Sequence, residues 1–364
     1  MKLNVNCPLN SVSFGNVSYN ILREFFKKGI NVNFFPIGDR VDIGAYDKTP
    51  QAFISYLNNA ANRRLLDYSA LSPTFKLWHI MGSETRVGKN QALMTFHETS
   101  QLTDFEKNVL INQDKIFVTS SYTKSVFEGN GIKNVVFVPL GFDEDFGKTN
   151  KTYLPDKIHF GLLGKYEYRK NTARIIKSWL KIFGNNPKYQ LSCAISNPFI
   201  EKSMFQTEIF SILEGKNYNN INFVPVMNTN SEVNDFLNSI DIDLGGLSGS
   251  EGWNLPSFNA TCLGKWSVVL NATAHKDWAT KENSILVEPS RMKEAHDGMF
   301  FVKGSHVNQG YFFDLSDEEM SAAIEHSASF AKRPNPEGEK LVSSMTYRHT
   351  AETVLRELDS LEPA

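Results

Sequence analysis

Residues 2–37, KLNVNCPLNSVSFGNVSYNILREFFKKGINVNFFPI, decide the fold class. Residues 2–6 read as a short strand and 11–16 as a polar turn around Gly15. Val17, Ile21 and Phe25 then recur at helical spacing until Gly29 stops the run, and a second strand follows over 31–37. Strand, loop, helix and strand in that order open a doubly wound α/β sheet, whose ligands sit beyond the carboxyl ends of its parallel strands. The loop Ser13-Phe14-Gly15-Asn16 is therefore expected to face a crevice.

The alternation continues downstream. Thr49-Pro50 reads as an N-cap followed by proline at the first helical position, opening a helix to about residue 66. Strands are expected near 75–80, 91–96, 115–119 and 135–139, so residues 1–150 make one alternating domain. The polar stretch 148–156, with Pro155, is the expected linker. A second series begins at Ile158-His159-Phe160-Gly161-Leu162-Leu163-Gly164, and its first helix carries Ile175, Ile176, Trp179, Leu180 and Phe183 on one stripe before Gly184. Strands near 190–195, 222–225, 242–244 and 267–270 extend a second domain over 151–335. Residues 317–331 and 338–361 read as helices, with 336–364 a separate C-terminal element.

A chain of 364 residues fits two domains of roughly 150 to 200 residues, each with its own core. The net charge of −2 provides no whole-molecule attraction to nucleic acid or anionic lipid. Cys7, Cys193 and Cys262 match no metal-ligand spacing, and their odd number closes no disulfide framework, which points to a reducing cytoplasm. The N-terminus turns polar too early for a signal peptide, and no uninterrupted apolar run reaches the roughly 18 residues a spanning helix needs. Contact with a membrane surface stays open.

Chemistry concentrates in a few loops. Ser248-Gly249-Ser250-Glu251-Gly252-Trp253-Asn254 follows a strand and leads into a helix expected over 255–263. A helix N-terminus offers free amides and about half a positive charge to a diphosphate, and Glu251 just outside it can accept from sugar hydroxyls. The alternative is a helix-capping acid in a plain βα turn. Gly164-Lys165-Tyr166-Glu167-Tyr168-Arg169-Lys170-Asn171 supplies cations for a leaving nucleoside diphosphate, or is a solvated loop. His97 ends a first-domain strand, where an imidazole of pKa about 6.5 can assist a proton or serve a structural bond. His79 and Asp241-Ile242-Asp243 take structural readings.

Together these segments resemble the signature loops of retaining, family-4-like glycosyltransferases of the GT-B fold. That family's pattern is an acid, Gly, an aromatic, a small residue, an apolar residue and Pro, with a second acid eight positions after the first. Glu251, Gly252, Trp253, Asn254, Leu255 and Pro256 follow it, and Asn259 stands where the family usually has glutamate. The resemblance implies that Glu251 touches the donor sugar and that Asn259 bonds the ribose without a charge. It implies further that Lys165, where many relatives carry arginine, and Lys170 neutralise the diphosphate. Met94-Thr95-Phe96-His97-Glu98 resembles the stretch that sets a histidine beside donor sugar and acceptor. Asp114–Ser121, Gly131, Val136-Phe137-Val138-Pro139-Leu140-Gly141-Phe142-Asp143 and Phe146 resemble the end of the family's first domain. The likeness runs from about residue 2 to 355, with the motifs in the family's order.

On this resemblance the fold is two Rossmann-like domains facing each other across a cleft, and the last helix crosses back to the first domain. The implied enzyme is a hexosyltransferase that moves a sugar from a nucleotide-diphosphate sugar to a hydroxyl of a glycan, lipid or small molecule. His97, Glu251 and Lys170 are its implied catalytic residues, and Gly15, Lys165, Lys170, Glu251, Gly252, Trp253, Asn254, Leu255 and Asn259 its implied donor contacts. Retention would follow from front-side displacement in which the leaving phosphate helps take the acceptor proton, with no cofactor and no metal. No nucleophile elbow or Ser/His/Asp arrangement stands against this. Three alternatives remain. One is a nucleic-acid-modifying enzyme of viral type, against which the near-neutral charge weighs. Another is a degenerate member that binds a nucleotide sugar without turnover, which Asn259 keeps open. The third is a nucleotide-sugar epimerase of the same fold.

Overall fold

Leu3–Cys7 (β1) pairs in parallel with Val32–Pro36 (β2), and Ser13–Lys27 (α1) is the crossover between them. The computed structural model describes residues 2–38 and 40–361. The helix starts earlier than the sequence suggests: Gly15 lies in its first turn, so close to Asn10 that a Cβ would overlap that residue's backbone. The expected 11–16 turn is therefore only the approach to α1. Gln51–Leu66 (α2) begins after Pro50 at the cap position, while the Thr49 hydroxyl bonds Tyr46 O instead of capping the helix. Thr74–Leu77 (β3), Gln91–Thr95 (β4), Asp104–Ile111 (α3), Lys115–Val118 (β5), Ser121–Gly129 (α4) and Val135–Phe137 (β6) complete a parallel sheet of order β2-β1-β3-β4-β5-β6. Leu93, Ile116, Val118 and Phe127 are among its buried core.

The first unit comprises Met1–Asp145 with Lys303–Gly310 and Ser343–Ala364. Its polar centre is Arg23 on α1, paired with Asp145 at 2.6 Å and Asp143 at 3.2 Å, both buried. Asp143 Oδ2 also accepts from Asn16 and Asn20, so the carboxylate is satisfied on both oxygens. Gly141 lies against the backbone of Thr346 and Tyr347, where a Cβ would overlap both.

The second unit comprises Phe146–Val302 and Tyr311–Val342. Ile158–Lys165 (β7), Thr172–Phe183 (α5), Tyr189–Ser196 (β8), Lys202–Ile212 (α6), Ile221–Phe223 (β9), Asn230–Ser239 (α7), Ile242–Asp243 (β10), Leu255–Cys262 (α8), Trp266–Leu270 (β11) and Ser284–Val287 (β12) form it in chain order. Its sheet is also parallel, in the order β12-β11-β10-β7-β8-β9. The stripe Ile175, Ile176, Trp179, Leu180 and Phe183 is buried against Phe160 and Leu162 of β7, as its helical spacing requires.

After β12 the chain forms a hairpin on which the sequence makes no expectation. Arg291–Glu294 (β13) and Tyr311–Asp314 (β14) form an antiparallel hairpin. The residues between them, Lys303–Gly310, belong to the first unit, where Thr103 Oγ1 donates to His306 O at 2.5 Å and Asn308 N to Glu106 Oε1 at 2.9 Å. The C-terminal helical stretch is Asp317–Ser327 (α9), Pro336–Ser344 (α10) and Tyr347–Asp359 (α11). Helix α11 lies in the first unit; Lys28, just after α1, pairs with its Glu352 at 2.6 Å.

Candidate functional site

In a parallel sheet the carboxyl ends of the strands carry the loops that bind ligands. In the second unit, β7 ends at Lys165 and the chain turns through Tyr166–Asn171 into α5; β10 ends at Asp243 and the chain runs through Ser248–Asn254 into α8. The two turns meet. Lys170 Nζ is 2.6 Å from Glu251 Oε1, Arg169 Nη1 is 3.0 Å from Glu251 Oε2, and Arg169 O accepts from Gly249 N at 2.9 Å. Arg169 also pairs with Glu167 at 3.1 Å and bonds Ser250 O. Burial alone pushes the Glu251 carboxyl up, but Arg169 and Lys170 outweigh it and hold it well below the usual carboxylate range. Glu251 is thus a buried anion that stays charged, at the head of a helix.

Around it the loop is tightly tied. Asn254 has left-handed backbone (φ 68) and caps α8, its Oδ1 facing Ser257 N at 3.4 Å. Glu251 N donates to Thr273 Oγ1 at 3.0 Å, and Trp278 Nε1 donates to Trp253 O at 3.1 Å. Trp253 is buried and edge-on to Phe258, Gly252 is buried, and Leu255 is half-buried. Ser250 Oγ, Trp253 Nε1 and Asn259 Oδ1 are buried without a hydrogen-bond partner among the described residues. Such orphans are few in native proteins and call for an explanation.

Lys165 meets the ion pairs through Glu167. Its Nζ lies 5.6 Å from the Phe199 ring centre and 5.5 Å from that of Phe300, with Glu167 at 3.7 Å. Asp243 is fully buried, its carboxyl pushed up by burial while Gly245 N donates to it; Asp241 accepts from His159 N at 2.9 Å. Both aspartates of the Asp-x-Asp stretch are engaged within the fold. Among the described residues no three His, Cys, Asp or Glu side chains gather as a metal site.

His97 and Gly15 belong to the first unit. The His97 imidazole is 2% exposed, with Nε2 3.1 Å from Gln101 O and 3.0 Å from Thr99 Oγ1 and its ring edge-on to Phe127. Burial pushes its pKa down against the pull of Glu106 and Glu98. His79, by contrast, is exposed at the end of β3 with its ring 4.4 Å from that of Phe14. Arg169 carries no sequence signal of its own, because a cation inside a Lys-Tyr-Glu-Tyr-Arg-Lys run reads as solvated. His275, whose Nε2 lies 3.0 Å from Asn254 Nδ2, follows no motif in the sequence.

No protein-family model matches the chain, and no curated protein sequence does. Solved structures do. Sucrose-phosphate synthase from Thermosynechococcus elongatus is 12% identical, with 99% of this chain and 98% of that one covered at a TM-score of 0.70. Anabaena HepE, solved with UDP-glucose, is 11% identical over 99% and 100% at 0.67. An Escherichia coli structure named for trehalose-6-phosphate and bound to UDP-2-fluoro glucose is 10% identical over 98% and 99% at 0.66. The fold is GT-B. With that the two parallel sheets read as the two Rossmann-like domains of a GT-B chain. No described helix of this GT-B chain is long and apolar enough to cross a membrane, and its three cysteines are free and buried.

Proposed function

We propose that this chain is a retaining glycosyltransferase that takes its sugar from a nucleotide-diphosphate sugar bound by the second unit. The observation that carries the reading is the buried Glu251 carboxylate held by Lys170 and Arg169 at the head of α8. Two cations beside a helix N-terminus suit a diphosphate whose charge grows as the glycosidic bond breaks. A carboxylate kept ionised by its neighbours suits sugar hydroxyls, which it can only accept from. Asn259 Oδ1, buried and unpartnered, suits a ribose hydroxyl.

Lys170 is assigned the diphosphate together with Lys165, and Arg169 the task of keeping Glu251 in place. Displacement on the front face needs no protein nucleophile, since the leaving phosphate takes the acceptor proton, and the lysines supply charge that a metal would otherwise bring. His97, enclosed within its own loop, is assigned the shaping of residues 97–101 on the acceptor side and not proton transfer. The first unit receives a glycan, lipid or small-molecule hydroxyl, and the buried thiols fit a reducing cytoplasm.

The donors named for HepE and the Escherichia coli structure make UDP-glucose the first probe. A thermal-shift series with UDP, GDP, ADP and their glucose conjugates tests the reading, because a ligand that binds only the folded state raises its melting temperature. One base is expected to give a clear shift that Lys170→Ala removes. No shift with any of them overturns it.

A further inference from the structure

We propose that His275 is a positioning residue for the donor loop, acting through the side-chain amide of Asn254. The inference rests on the donor-site reading, but its geometry is independent of which sugar nucleotide binds.

His275 is buried in the short helical turn Thr273–Asp277 that follows β11. Its Nδ1 lies 2.8 Å from Leu270 O; a carbonyl only accepts, so Nδ1 carries the proton. Nε2 is then a bare lone pair and accepts from Asn254 Nδ2 at 3.0 Å. The amide's other hydrogen goes to Gly245 O at 3.1 Å, which turns Asn254 Oδ1 toward Ser257 N. Each partner fixes the next: two acceptors demand the NH2 on one side, and a helix amide demands the oxygen on the other. The tautomer of one imidazole therefore decides whether the first turn of α8 is capped.

Asn254 needs that support. Its left-handed backbone is sparsely populated for a residue with a side chain and persists where the surroundings over-determine it. Thr273, itself left-handed at φ 48, and Trp278 fix the backbone of the same loop from the same turn. His275 alone among them reaches the capping side chain.

The arrangement tolerates only a neutral ring. A proton on Nε2 would set N–H against N–H, and Asn254 would have to turn over and abandon the cap. The charged groups facing His275 are Glu251, which favours protonation, and Lys170 and Arg169, which oppose it; burial opposes it most. Order in residues 251–258 should accordingly be high at pH 7–8 and fall in acid.

The test uses the full chain without ligand. Hydrogen exchange of peptides covering 251–258 is followed from pH 5.5 to 8, corrected for intrinsic rates, in wild type, His275→Leu and His275→Gln. The Leu variant is expected to exchange at least about tenfold faster there, with the β7–β8 amides unchanged. Gln, whose Oε1 can accept from Asn254, is expected to restore protection to within about threefold and to abolish the acid dependence. Wild-type protection in the Leu variant, loss spread evenly over the second unit, or the same acid dependence in the Gln variant would each overturn the proposal. UDP-glucose titration of Lys170→Ala run alongside separates the two ideas: unaltered binding there removes the donor reading, whatever the exchange shows.

Discussion

Lys170 Nζ lies 2.6 Å from Glu251 Oε1, so the two residues that the donor reading needs most already neutralise each other. Arg169 shares the same carboxylate. A diphosphate that draws Lys170 away leaves Glu251 with Arg169 as its counter-charge and an oxygen open to a sugar hydroxyl.

That exchange makes opposite predictions for the two partners. Lys170→Ala should lose both nucleotide binding and transfer, the latter more than about tenfold, equivalent to roughly 1.4 kcal/mol. Glu251→Gln should cut transfer by a similar factor yet bind the free nucleoside diphosphate several-fold more tightly, because Lys170 no longer has a competing anion. The same variant should melt lower without ligand, since two cations lose their buried partner. Calorimetric titration of both variants checks this; weaker nucleotide binding in Glu251→Gln would remove the exchange.

Asn259→Leu separates a ligand contact from a structural bond. The buried Oδ1 has no partner among the described residues, so removing it should leave the melting temperature nearly unchanged. Donor affinity should fall by about fivefold, the worth of one hydrogen bond of roughly 1 kcal/mol. A large loss of stability with unchanged affinity would show the opposite role.

Acid should destabilise the protein earlier than its carboxylates alone would. Burial lowers the pKa of His97, His159 and His275, so each is neutral in the folded state and protonates more readily in the unfolded one. A folded pKa below the unfolded value gives stability that is complete above about pH 6.5 and is lost as pH falls through the depressed folded values. The depressed Glu251 adds a further loss at lower pH. A melting series from pH 8 to 5 should be level at first and then fall; a flat profile down to pH 5 contradicts the assignment.

Gly141→Ala probes the join between the segment after β6 and α11. Its Cβ would overlap the Thr346 and Tyr347 backbone, an overpacking that costs about 1–3 kcal/mol. Melting should drop by several degrees while UDP-glucose affinity, which the donor reading assigns to the second unit, stays within error.

The sequence carried the sheets because their strands and amphipathic helices repeat at regular periods, as with Ile175, Ile176, Trp179, Leu180 and Phe183. It carried α8 because a glycine-rich loop after a strand leads straight into Leu255–Cys262. Residues 11–16 read as a turn although the helix begins at Ser13, since Ser13 and Phe14 are polar and aromatic residues that fit a loop or a first helical turn equally well. The β13–β14 hairpin escaped because Arg291–Glu294 is mostly exposed and lacks alternation. Ion pairing was the least legible feature. Lys165 and Lys170 share a loop, yet Lys170 is bonded to Glu251 and Lys165 sits beside the rings of Phe199 and Phe300, a difference set by residues 34 to 135 positions away.

The return of α11 to the first unit has a consequence for biosynthesis. Helix α1 leaves the ribosome about 320 residues ahead of its neighbour α11, an interval on the order of 20–60 s at typical elongation rates. During that interval the face that receives α11 is uncovered and available to other chains. Nascent polypeptides stalled before residue 343 should therefore recruit chaperones at the first unit, and release should follow synthesis of α11.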